Sequence, residues 1–174
     1  MTARAVLIGL PGAGKSTTGR RLAKIMAVPF ADSDQLIEER EGKPIRQLFD
    51  VLGEPRFREI ETEVVAAALD DFTGVLSLGG GALTSAATRQ ALTGSGVPIV
   101  YLRATLDQLS QRVGDGRTRP LLAGNPDAGL AVLAAERSQT YDEFATITVD
   151  TDGRTPGQIA ATVAARLHES RRKH

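Results

Sequence analysis

GLPGAGKST, residues 9–17, decides the fold. It follows an apolar run, RAVLIGL (residues 4–10), and opens a stretch of helical periodicity, KSTTGRRLAKIMA (residues 15–27). Gly9, Gly14, Lys15 and Ser16 occupy the fixed places of the G-x-x-x-x-G-K-[ST] pattern. Glycines let successive backbone N–H groups turn inward without Cβ interference, so the loop forms an anion nest. A helix starting at Lys15 adds the positive end of its dipole at the same point. Gly12, Ala13, Gly14, Lys15, Ser16 and Thr17 are therefore the candidate residues for the phosphates of a nucleoside triphosphate. In this pattern the lysine reaches the β- and γ-phosphates and the serine hydroxyl binds Mg²⁺. The loop does not say what receives a phosphate.

Outward from the loop, apolar runs alternate with helical patterns. VPFA (28–31), GVLSLGG (74–80), VPIVYLRA (97–104) and ITVDT (147–151) join the first run as five strands. Helices are expected over 15–27, 34–40, 44–52, 55–71, 85–94, 105–114 and 155–167. On the first of these, Leu22, Ile25 and Met26 are expected on one side. Thr105 with Gln108, and Thr155 with Pro156 and Gln158, are spaced as helix starts with capping boxes. Strands separated by helices predict a parallel sheet covered on both faces. Residues 33–70 hold more helix than one crossover needs, and GDGRTRPLLAGNP (114–126) reads as a mobile loop.

The bulk composition excludes several classes. A chain of 174 residues suits one domain with a real core. Its 21 basic and 21 acidic residues balance, which advertises no nucleic-acid or anionic-membrane surface. The absence of cysteine excludes disulfides and zinc–thiolate sites, and fits a reducing compartment. The apolar stretch after Arg4 is too short for a signal peptide and runs into Pro-Gly, and no segment has the length of a membrane helix.

A nucleotide-binding loop of this kind normally works with an aspartate at the end of another strand, which orders the magnesium shell. The third strand ends in glycines and the fourth in Arg103, leaving Asp32, Asp150 and Asp152. Spacing does not choose among them. In ADSD (31–34), Asp32 and Asp34 would project to one side of an extended chain and diverge if Asp34 enters the next helix. Alternatively Ser33 caps that helix and Asp34 only favours its dipole.

With GLPGAGKST, DSD (32–34), GEPRFREIE (53–61), LSLGGGA (76–82) and RTRPLL (117–122) in this order, the chain resembles the shikimate kinases. ERSQTY (136–141) and RTPGQI (154–159) agree with that family further on. These are small ATP-dependent kinases of aromatic amino-acid biosynthesis. The resemblance implies a three-layer α/β/α P-loop kinase: a core of residues 1–32, 71–113 and 144–174, substrate-binding helices over 33–70, and a lid over 114–126. It implies ATP and Mg²⁺, shikimate as the small-molecule partner, and a cytoplasmic monomer binding neither nucleic acid nor membrane.

The resemblance also assigns roles. Ser16 and Asp32 go to the metal, with Ser77 near its waters; Asp34 goes to the substrate hydroxyls as candidate base. Arg58, held by Glu61 one helical turn on, and Arg137 take the substrate carboxylate. Gly79, Gly80 and Gly81 line the substrate, and the Gly80 N–H faces it. Arg119 closes over the transferring phosphoryl group, with Arg117 as a second candidate, while Arg112, Arg154 and Pro156 meet the adenine. Lys15, Asp34 and Arg119 form the catalytic set. Two alternatives stand: another small-metabolite kinase, such as a gluconate kinase, and a nucleotide-dependent regulator without an acceptor.

Overall fold

The computed structural model describes residues 2–113 and 126–172. Five strands form one parallel sheet: β1 (Ala5–Ile8), β2 (Phe30–Asp32), β3 (Val75–Ser77), β4 (Ile99–Arg103) and β5 (Ile147–Asp150). Their spatial order is β2-β3-β1-β4-β5. Every residue of β1 and β3 is buried. Successive side chains of a strand point to opposite faces, so both faces of the sheet centre are covered, as the uninterrupted apolar runs predict.

Seven helices pack around the sheet among the described residues: α1 (Lys15–Met26), α2 (Ser33–Glu41), α3 (Ile45–Asp71), α4 (Ala86–Ser95), α5 (Leu106–Val113), α6 (Pro126–Phe144) and α7 (Pro156–Arg172). The start of α7 has both arms of its capping box: Gln158 N–H donates to Thr155 Oγ1 at 3.2 Å, and Thr155 N–H donates to Gln158 Oε1 at 3.0 Å. The two helices expected over 44–52 and 55–71 are limbs of α3, broken at Gly53, where φ is 76° and ψ is 163°. That backbone state favours glycine.

The α1 stripe differs from expectation. Thr18, Gly19, Leu22 and Ala23 are its buried residues, while Ile25 is 54% exposed. At 100° per residue, Ile25 lies about 90° from the centre of the buried arc, whereas Met26 falls within it. Helix α6 is absent from the expected helices. Its residues Pro126–Phe144 mix alanine with polar side chains and show no clean apolar stripe.

The main core surrounds the sheet. A second cluster, Ile37, Leu48, Phe57, Ile60 and Val64, lies between α2 and α3. The helical region over 33–70 therefore has packing of its own, which holds its inward polar side chains in place. No helix among the described residues is long and apolar enough to cross a membrane. The segment expected as a lid, residues 114–126 with Arg117 and Arg119, lies outside the described residues apart from the first backbone position of α6.

Candidate active site

The loop after β1 reaches α1 through Gly14, which caps the helix with φ 85° and ψ 24°. That left-handed state strains any residue with a Cβ. Lys15 Nζ donates to the carbonyls of Gly9 at 2.7 Å and Leu10 at 3.1 Å. Ser16 Oγ donates to Asp32 Oδ2 at 2.6 Å, a charge-assisted bond from the start of α1 to the end of β2.

Of the three candidate aspartates, one meets the phosphate loop. Asp150, on the edge strand, is forked by Arg103 at 2.6 and 3.2 Å and is 70% exposed. Asp152 accepts the Thr105 N–H at 3.1 Å. Neither meets the loop; Asp32 does. Asp32 also caps α2, because its Oδ1 accepts the Asp34 N–H at 2.9 Å. The alternative in which Ser33 caps this helix is therefore incorrect. Ser33 is fully buried, and its hydroxyl accepts the Gly79 N–H at 2.9 Å. Asp34, in the first turn of α2, instead brings its Oδ1 against the glycine loop after β3.

The glycine loop after β3 is pressed between charged groups. A methyl group on Gly79 would lie 2.5 Å from Asp34 Oδ1 and 3.1 Å from Glu61 Oε2. On Gly80 it would lie 3.2 Å from Arg137 Nη1, and on Gly81 2.5 Å from Arg58 Cζ. Two carboxylates and two guanidinium groups therefore converge on three consecutive residues that lack side chains. Close approach is the function of those glycines.

Arg58 Nη1 donates to Glu61 Oε1 at 2.6 Å, and Nη2 to Glu54 at 3.3 Å. The guanidinium also faces the rings of Phe57 at 5.2 Å and Phe49 at 5.6 Å. Phe49 was not among the expected site residues; only the folding of α3's first limb over its second brings it there. The Nε atoms of Arg58 and Arg137 are buried without a partner. Unsatisfied buried donors on two cations are what an anionic ligand would complete.

Burial raises the Glu61 carboxyl to about 7, with the Arg58 charge and hydrogen bond opposing the shift. Burial and the Asp32 charge raise Asp34 to about 6, against the pull of Lys15 and Arg58. Both carboxyl groups thus sit where desolvation works against the ionised form.

At the other end, Arg112 Nη1 on α5 donates to the Gly12 carbonyl at 3.3 Å and Thr151 Oγ1 at 3.4 Å. Arg154 donates to the carbonyls of Asp150 and Gln158, each at 3.3 Å, and to the Thr162 hydroxyl. Pro156 opens α7 beside it.

One cleft of about 610 Å³ joins these groups. Gly12 to Thr17, Asp32, Asp34, Arg58, Gly79 to Gly81, Arg112, Arg137, Arg154 and Pro156 all line it. Pro11, Glu38, Phe49, Glu61 and Leu133 line it as well. The structure thus brings together every expected site residue that it describes. Ser77 is buried beside this site on β3, in register with Asp32, and its hydroxyl has no partner. Chemically, the cleft places an anion nest and a lysine at one end, and a pair of arginines with two carboxyl groups at the other.

Residues 11–168 match the family described as shikimate kinase. A shikimate kinase of Mycobacterium avium is 52% identical over 169 residues, covering 96% of this chain and 94% of its own. The structure titled shikimate kinase from Acinetobacter baumannii in complex with shikimate matches with a TM-score of 0.92 at 33% identity, over 98% of this chain and 94% of that one. A gluconokinase from Sinorhizobium meliloti shares the fold, with a TM-score of 0.61 at 20% identity over 97% and 93% of the two chains.

Proposed function

The chain belongs to the shikimate kinase family, and we propose that it transfers the γ-phosphoryl group of ATP to the 3-hydroxyl of shikimate, giving shikimate 3-phosphate and ADP. The observation that carries this reading is the juxtaposition, in one cleft, of the phosphate loop with Arg58 and Arg137 around the glycines at 79–81. A regulator without an acceptor needs no second anion site. A gluconate kinase would share the carboxylate and the hydroxyls, but the likeness to the gluconokinase reaches the fold alone.

The residues divide the work as follows. The loop N–H groups from Gly12 to Thr17 hold the phosphates of ATP, and Lys15 leaves the Gly9 and Leu10 carbonyls to reach the β- and γ-phosphates. Arg112, Arg154 and Pro156 line the adenine end. Arg58 and Arg137 fork onto the shikimate carboxylate, which fixes the ring. The amides of the glycine loop meet the same substrate. Asp34 accepts from the ring hydroxyls and takes the proton as the phosphoryl group arrives. The transition state is loose, so positioning and charge stabilisation outweigh the strength of that base.

Ser16 and Asp32 fit Mg²⁺, since a hydroxyl and a carboxylate held 2.6 Å apart are hard oxygen donors. Among the described residues no group of three or more His, Cys, Asp or Glu side chains converges, which suits an ion completed by phosphate oxygens and water. Held by Ser16 and Asp32, Mg²⁺ would supply positive charge to offset that of the phosphates. Arg119, with Arg117 beside it, is the proposed closing cation from the sequence pattern, as are the lid over 114–126 and the substrate-binding region over 33–70. The lack of cysteine fits a cytoplasmic protein and the balanced charge one that acts on a small molecule; a monomer is what the family resemblance implies.

One assay decides among the alternatives: ADP release with shikimate, with gluconate and without an acceptor. Release stimulated by shikimate alone is the expected result. Stimulation by gluconate alone, or none by either, would remove the proposed acceptor.

A further inference from the structure

Tyr141 has no part in the roles assigned above, yet it touches two of the groups they depend on. It lies on α6, one turn after Arg137, and is 1% exposed. Its ring packs on Tyr101 of β4 with centroids 5.2 Å apart. Its hydroxyl donates to the Gly80 carbonyl at 2.5 Å, across 61 positions of chain. The Arg137 guanidinium reaches the same glycine, its Nη1 lying 3.2 Å from where a methyl on Gly80 would stand, and its charge acts on the phenol.

We propose that Tyr141 is a positioning residue for the acceptor, its hydroxyl holding the Gly80 carbonyl beside the Arg137 guanidinium so that arginine and glycine loop present one prearranged anion site. This rests on the acceptor reading of the cleft.

The neighbouring peptide groups are held by other means. The Gly79 N–H goes to Ser33, its carbonyl accepts from Ala82, and the Gly81 carbonyl accepts from the Thr84 backbone and hydroxyl. The Gly80 carbonyl is therefore the remaining fixing point, and Tyr141 supplies it. That carbonyl shares a rigid peptide plane with the Gly81 N–H, so holding one aims the other. With two adjacent residues lacking a Cβ, little else limits rotation of this plane.

The phenol is suited to the task. Burial keeps its proton on, with the group raised to about 12. A neutral phenol donates to the carbonyl without adding a charge beside the guanidinium. A serine or threonine is too short to span from α6 to the loop, and a glutamate would neutralise Arg137.

The test uses Tyr141→Phe, which deletes one oxygen and keeps the ring stack. Its control is Tyr101→Phe, which removes the hydroxyl from the other ring of the stack and leaves the Gly80 bond in place. In Tyr141→Phe the KM for shikimate should rise by about tenfold, the loss of one hydrogen bond, with kcat falling less and the KM for ATP unchanged. Tyr101→Phe should leave both KM values alone. An unchanged shikimate KM in Tyr141→Phe, or an equal rise in both variants, overturns the proposal.

A second measurement needs no stable Tyr141 variant. The chain has two tyrosines, so 3-fluorotyrosine labelling gives two fluorine resonances, separated by the Tyr101→Phe protein. Shikimate without nucleotide should shift the Tyr141 signal, and a silent signal at saturation overturns the proposal. Wild-type ADP release with shikimate keeps the two failures apart, because its absence refutes the acceptor itself.

Discussion

Gly81→Ala tests the geometry of the acceptor end without touching a charged group. Gly81 has φ −102° and ψ 2°, a conformation open to alanine, so the backbone is not strained. The new methyl would lie 2.5 Å from Arg58 Cζ and 2.6 Å from Nη1. Carbon contacts settle near about 3.5 Å, so the guanidinium must retreat by about 1 Å. That retreat shifts it relative to Glu61, bonded at 2.6 Å, and to the Phe57 ring, 5.2 Å from its centre. A misplacement of about 1 Å in a positioning group costs up to about 10²-fold. The shikimate KM should therefore rise by about 10- to 100-fold while the KM for ATP stays put. If the bond to buried Glu61 is lost, stability falls by about 1–3 kcal/mol, which lowers Tm by about 2–4 °C for each kcal/mol in a chain of this size. Coupled ADP-release kinetics read the KM values and calorimetry reads the Tm. Gly94→Ala, where a methyl meets nothing within 4 Å, is the control for the KM values. A folded Gly81→Ala protein with a wild-type shikimate KM would refute the placement of Arg58 at the acceptor carboxylate.

Three further substitutions probe separate parts of the cleft. Asp34→Asn should lose most turnover while ATP binding measured by calorimetry persists; near-normal turnover would take Asp34 out of the reaction. Asp32→Asn keeps a capping oxygen for α2 and should remain folded while losing Mg²⁺-dependent turnover. Asp32→Ala also drops the cap and should cost about 1 kcal/mol or more in urea unfolding; equal stability of the two variants would sink the capping role. Glu61 gives a pH signature. Its carboxyl is raised from 4.5 to about 7, chiefly by burial, so the folded chain keeps a proton that the unfolded chain releases. Its contribution to stability is full below the unfolded value and is lost as pH rises through the folded one. Stability should fall between those two values in the wild type, and Glu61→Gln should flatten that fall in urea midpoints; parallel profiles would contradict the burial.

Some elements were legible because their causes are local. The start of α7 needs only Thr155, Pro156 and Gln158, and the phosphate loop needs only its glycines and Lys15. Ile25 falls outside because three residues on from Leu22 the helix has turned about 60° short of a full turn, which carries the side chain past Thr18 at the edge of the buried arc. Phe49 gave no signal, since its partner Arg58 lies beyond the break at Gly53. The limits of α6 were obscured by its mixture of alanine and polar residues, although it carries Arg137 and Tyr141.

The sequence by itself determined the sheet class, the phosphate site and most of the residues that meet in the cleft. Contiguous residues set backbone conformation and periodicity, and these carry such features. Which aspartate faces the loop was decided by tertiary structure alone. The order β2-β3-β1-β4-β5 brings the end of β2 to Ser16 and sends Asp150 to the far edge, where Arg103 takes it. The bonds from Ser33 to Gly79 and from Tyr141 to Gly80 span 46 and 61 positions. Pairings of that range depend on where whole elements pack, which short motifs do not encode.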